Sequence, residues 1–144
     1  MRSWLAKKIV SRLMARLRNG DYAPTLRMDA DDVRFRFPGD SSWGGEYRGK
    51  KELEGWYRRF VDAGLQIFPD QVVATGPPWR MNLCVRGHIY LKTPDGEAVY
   101  ENRYVLWGTM AWGKLREYEV YEDTQQTEAL EQYLAGLEQS PSTV

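Results

Sequence analysis

His88 is the only histidine in the chain, and an imidazole that titrates near neutral pH is a natural general acid or base. The residues around it decide what it could do. Across 79–92, Trp79, Met81, Leu83, Val85, Ile89 and Leu91 fall on one face of an extended chain. Arg80, Asn82, Cys84, Arg86, His88 and Tyr90 fall on the other. Asp95-Gly96 predicts a two-residue hairpin turn, which sets Asn102 opposite Ile89 and Arg103 opposite His88. On the returning strand Tyr100, Asn102 and Tyr104 share one face, and Glu101 and Arg103 the other. Two arrangements stay open. If the His88 face lines a pocket, Arg86, His88, Glu101 and Arg103 form a polar cluster able to activate water or polarise a carbonyl. If the opposite face does, the lining is apolar with Asn102 and Tyr104 as its polar tips. The charged residues are then a solvated or inter-subunit patch.

Other residues could bind rather than react. Trp43, Tyr47, Trp56 and Phe60 fall on a glycine-bearing loop and the helix after it. They form either an aromatic cage around an apolar ligand or a filled core, since both use the same residue types. Glu117 and Glu119 share a strand face, as do Tyr118, Val120 and Glu122. Paired carboxylates can serve acid–base chemistry, but Tyr118 and Val120 are expected to point inward, which places Glu117 and Glu119 outside.

The elements that must position these residues follow from periodicity. Residues 3–18 carry Trp4, Leu5, Ile9, Val10, Leu13, Met14 and Leu17 on one helical stripe, with Ser3 as N-cap and Asn19-Gly20 as the stop. Residues 21–32 read as a short helix and turn, and 33–38 as a half-buried strand ended by Pro38-Gly39. Residues 39–49 read as a loop and 50–63 as a second helix closed by Gly64. Strands follow at 65–75, 79–92, 97–110 and 114–122, then a helix at 125–137 capped by Asp123-Thr124. The expectation is one α+β domain over 1–138, with a tail at 139–144 lacking order.

Composition bounds the rest. The chain has 144 residues, formal net charge +0, 13% aromatic residues and one cysteine, Cys84. No global field would draw nucleic acid, and no apolar run approaches membrane-spanning length. A lone cysteine forms no intramolecular disulfide, so a reducing cytoplasm is the expected compartment. No cofactor or metal is expected.

The run FRFPGDSSWGGEYRG (Phe35–Gly49), the helix KKELEGWYRRF after it and YENRYVLWGTMAWGKLREYEVYEDT resemble the SnoaL-like branch of the nuclear transport factor 2-like superfamily. The resemblance implies a cone: a curved mixed or antiparallel sheet wrapped around helices, with an internal pocket and a homodimer packed through the sheet face. Ketosteroid isomerase, in the same superfamily, carries acids at positions resembling Phe37 and a site near Val105. Limonene epoxide hydrolase carries its catalytic Asp, Arg and second Asp at positions resembling Val120, Arg86 and His88. The expected function is therefore binding of a hydrophobic small molecule by Phe37, Trp43, Tyr47, Trp56, Phe60, Tyr90, Asn102, Tyr104 and Tyr118. The alternative is an isomerase, cyclase or epoxide-hydrolase type of enzyme using His88 with Arg86 or Glu101.

Overall fold

The computed structural model describes residues 1–139. The chain runs α1 (Ser3–Arg18), α2 (Ala23–Met28), β1 (Asp29–Phe37), β2 (Gly45–Arg48), α3 (Gly49–Asp62), β3 (Gln66–Thr75), β4 (Met81–Lys92), β5 (Ala98–Ala111), β6 (Lys114–Glu122) and α4 (Thr124–Gln139). The strands form one sheet in the order β2-β1-β6-β5-β4-β3. β1 lies parallel to β6, and every other neighbouring pair is antiparallel. Of the expected tail, Gln139 closes α4 and the remainder lies outside the described residues.

Long strands with local insertions bend. The ladders slip between Pro69 and Gln71, between Leu91 and Lys92, and between Thr109 and Met110. Each extra residue increases local twist, and together they curl the sheet around α1, α3 and α4. Pro69 marks the first slip because it has no N–H to give the ladder. The turn is wider than the expected two-residue Asp95-Gly96 hairpin: Thr93 pairs with Glu97, so Pro94, Asp95 and Gly96 form a three-residue loop with Gly96 at φ 87°. The slip between Leu91 and Lys92 cancels the extra residue and restores the expected pairing of His88 with Arg103 and Ile89 with Asn102.

Two apolar clusters fill the concave side. α1 lays Ala6, Val10, Met14 and Leu17 inward, the first three of them against Val72, Leu83, Val85 and Tyr104. α3 and α4 cover the other end, where Phe35, Trp43, Leu53, Phe60, Ile89 and Leu130 meet. Gly87 sits where β4 passes closest to its neighbours. A Cβ there would stand 2.1 Å from the Phe68 carbonyl oxygen and 2.5 Å from the Tyr104 hydroxyl. That hydroxyl donates to the Phe68 carbonyl at 3.0 Å. Gly87→Ala is expected to cost about 1–3 kcal/mol of stability through overpacking. An unchanged urea midpoint would show that the strands give way freely.

Several sequence expectations are corrected. Ser3 is not the N-cap: Arg2 holds that position, and the Ser3 hydroxyl instead pairs with the backbone of Ala74 on β3. Trp4 and Leu5 are exposed because the helix turns Ala6 inward instead. The loop expected at 39–49 contains strand β2, which pairs with β1 at the sheet edge. β1 starts four residues earlier than expected, at Asp29, because its first residues pair with Leu115 through a second irregular register.

Candidate functional site

The apolar face of β4 lines the interior. Met81, Leu83, Val85, Ile89 and Leu91 are buried, so the alternating set of Asn82, Cys84, Arg86, His88 and Tyr90 faces out. Of the two open arrangements, the structure takes the apolar lining. His88 Nδ1 stands 2.9 Å from Asp70, and the ring stacks on Phe68 with centroids 5.0 Å apart. Arg86 is exposed and donates to Gln71 at 2.8 Å. Tyr90 stacks on Phe68 beneath Lys92. His88 as an acid–base inside the cone is therefore corrected: burying five aliphatic side chains fixes the strand's parity and turns the imidazole out. The position near Val105, resembling the isomerase's second acid, also faces out, with Tyr104 inward.

The cone mouth gathers four of the nine expected binding residues, Phe37, Trp43, Trp56 and Phe60. Phe37, Trp43, Trp56, Phe60, Ile89, Tyr100, Glu122 and Leu130 surround a residual cavity of about 20 Å³. That is room for one water, not for an aromatic ring. Trp56 is the hub of the wall. It meets Phe35 and Trp43 edge-on and Phe60 stacked, and its indole N–H donates to the Trp43 carbonyl at 3.2 Å. The Tyr47 hydroxyl donates to the same carbonyl at 2.8 Å. The Trp43 indole N–H is buried with no partner among the described residues, while the Arg59 guanidinium covers its ring at 4.0 Å.

α4 is the cover. The Asp123 carboxylate accepts from the Gln125 N–H at 3.0 Å, an N-cap that was legible in sequence. Asn102 is buried and ties the Asp123 backbone through both its carbonyl oxygen and its amide. From that anchor Thr127 and Leu130 project into the mouth, both buried. Thr127 donates a short hydrogen bond to Glu122, and Tyr100 donates to the same carboxylate at 3.5 Å. Burial pushes the Glu122 carboxyl above its usual range. Outside the cover, His88, Tyr90, Glu101 and Asn102 do come together, along an open groove of about 790 Å³ that also reaches Glu122.

A family model for the SnoaL-like domain matches residues 10–118. The chain belongs to that family. This SnoaL-like domain shares its fold with NTF2-like proteins of known structure that are distant in sequence. An NTF2-like protein of unknown function from Burkholderia pseudomallei K96243 is 21% identical, with TM-score 0.71 over 86% of this chain and 95% of that one. An NTF2-like protein from Burkholderia xenovorans LB400 is 21% identical, with TM-score 0.68 over 91% and 98%. TerC, crystallised with polyporic acid, is 20% identical, with TM-score 0.70 over 87% and 96%. No curated protein matches the chain.

At the inner end of this SnoaL-like domain lies a polar node that sequence reasoning missed. Asp29 is fully buried at the start of β1. Its Oδ2 accepts from the Tyr57 hydroxyl at 2.8 Å, and the Tyr57 and Tyr118 hydroxyls share a short hydrogen bond. Asp29 Oδ1 has no partner among the described residues. Burial raises the Asp29 carboxyl to about 7, against the lowering influence of Tyr57, Lys50 and Lys114. Tyr118 thus belongs to this node, and Tyr104 to the α1 cluster. No pattern flags Asp29, because its strand register is irregular there. Glu122 was readable, since it shares the parity of Tyr118 and Val120. Among the described residues no group of His, Cys, Asp or Glu side chains could hold a metal ion.

Proposed function

We propose that the chain binds a hydrophobic aromatic small molecule in the cone, entering where α4 now covers the mouth. The observation that carries this reading is the wall itself. Phe37, Trp43, Trp56 and Phe60 line the space under α4, and one of them, Trp43, has a buried indole N–H with no partner among the described residues. Core packing alone leaves few such donors, whereas a binding site keeps a few polar groups for orientation. Leu130 holds the place that a ring would take. TerC, a neighbour in fold, was crystallised with polyporic acid, which agrees with a small-molecule ligand.

Leu130→Ala opens that place. N-phenyl-1-naphthylamine, whose fluorescence rises in apolar sites, is expected to bind this variant at least about threefold more tightly than the parent, a difference of roughly 0.7 kcal/mol. Equal or weaker binding by Leu130→Ala would contradict entry under α4.

A second reading, an enzyme of isomerase, cyclase or hydrolase type, has a specific observation behind it. Asp29 and Glu122 are carboxyls inside the cone with raised proton affinity, which suits acid–base work. These two replace His88 as its candidate groups.

The outer sheet face is proposed to pack on a second copy. It exposes Val73, Val105, Trp107 and Tyr121, and carries Arg34 and Arg36 near Glu117 and Glu119 around a depression of about 280 Å³. Both charge signs on one face allow a two-fold arrangement to pair them. Light scattering at micromolar concentration is expected to give twice the chain mass, and Trp107→Glu the chain mass. A monomeric parent would refute the dimer. No nucleic-acid or membrane partner is proposed; among the described residues no helix is long and apolar enough to cross a membrane. The cytoplasm is the proposed compartment, on the single cysteine.

A further inference from the structure

We infer that Glu122 recognises a hydroxyl group on the aromatic ligand, and that the Thr127 hydroxyl of α4 occupies this position when no ligand is bound. The inference rests on the cone being a ligand site and goes beyond it by naming the polar group recognised.

Glu122 is the last residue of β6, and it borders both the inner cavity and the outer groove. It therefore stands on the path between them. Both of its hydrogen bonds, from Thr127 and Tyr100, fall on Oε1. Among the described residues Oε2 receives none, and no Lys or Arg forms an ion pair with Glu122. A mostly buried carboxylate without a cation has to be satisfied by hydrogen-bond donors. Burial also raises its proton affinity, against the lowering influence of the Thr127 and Tyr100 hydrogen bonds.

Thr127 is built to let go. Its hydroxyl also lies 3.4 Å from the Asp123 carbonyl, four residues back on the helix. A threonine released from Glu122 can turn to that carbonyl instead of being left unpaired. The exchange removes one hydroxyl from Glu122 and supplies another. Phe37, Trp56, Phe60 and Leu130 border the same space and suit the ring that carries the incoming hydroxyl. The Asp123 cap and the Asn102 tie stay in place, so α4 can swing from its first turn.

The test is calorimetric titration of the whole chain with 2-naphthol and with 2-methoxynaphthalene, which has the same ring but no donor. The parent is expected to prefer 2-naphthol about tenfold, as a hydrogen bond to a charged acceptor allows. Thr127→Val keeps the side-chain shape and removes the competing hydroxyl. It is expected to bind 2-naphthol about tenfold more tightly than the parent, with 2-methoxynaphthalene unchanged. Glu122→Gln is expected to lose most of the preference; if it does not fold, Thr127→Val decides the question. Equal affinity for both probes in the parent and in Thr127→Val overturns the role of Glu122 and leaves the cone as a ligand site. Failure of both probes to bind the parent and Leu130→Ala overturns the cone reading, and this inference with it.

Discussion

Trp56→Ala is expected to lower stability by about 3–5 kcal/mol, the range for removing a large aromatic side chain from a packed interior. Trp56 touches Phe35, Phe37, Trp43, Tyr57 and Phe60, with ring centroids between 4.8 Å and 6.3 Å. Its N–H also satisfies the Trp43 carbonyl, although that carbonyl keeps the Tyr47 hydroxyl when the indole is gone. The loss is therefore mainly packing and cavity, not an orphaned polar group. Trp56→Phe retains most of the ring contact and is expected to cost less than half as much. Urea unfolding of the two variants measures both values. A loss below about 1 kcal/mol for Trp56→Ala would mean that the wall is loosely filled, since well-packed sites collapse poorly around a deletion.

Stability is also expected to fall as pH rises from about 5 to 8. Asp29 is a carboxyl whose folded value, about 7, lies above its ordinary 3.8. Between those values the folded chain holds a proton that the unfolded chain has released. Stability from this group is thus complete at acid pH and is lost as pH rises through 7. At about 1.4 kcal/mol per unit the whole shift is worth on the order of 4 kcal/mol, of which about 3 kcal/mol falls between pH 5 and pH 8. Glu122 is shifted in the same direction and adds to the slope. Asp29→Asn cannot titrate and is expected to flatten most of the dependence. The check is the urea midpoint of parent and variant at pH 5 and pH 8. A parent whose midpoint is constant or rises over that range contradicts a neutral, buried Asp29.

These effects trace to residues that differ in how readable they were. In the aromatic wall, Trp43, Trp56 and Phe60 followed from helical spacing and from the loop before it, and Phe37, on β1, from the family resemblance. The pairing of His88 with Arg103 was expected from a two-residue Asp-Gly turn, and it stands through a three-residue loop whose offset the slip between Leu91 and Lys92 cancels. What register alone does not give is which face is buried. For β4 that depended on the aliphatic content of the alternating set, and it removed His88 and Arg86 from the interior. Asp29 was hidden for another reason. The chain breaks strict alternation at Ala30–Asp32, so a buried acid lies beside exposed ones with nothing local to separate them. Glu122 was visible by parity but lacked a partner until α4 placed Thr127 against it. Long-range packing, not local pattern, makes those two carboxyls.

The six tryptophans divide between the interior and the surface, and that division gives the most direct test. Trp43 and Trp56 lie in the wall of the mouth, while Trp4, Trp79, Trp107 and Trp112 are exposed. Each contributes one indole N–H signal in a ¹⁵N NMR spectrum. On titration with 2-naphthol, the Trp43 and Trp56 signals are expected to shift together and saturate, and the four surface signals to stay in place. Shifts confined to the surface tryptophans, with Trp43 and Trp56 unmoved, would contradict a ligand site inside the cone.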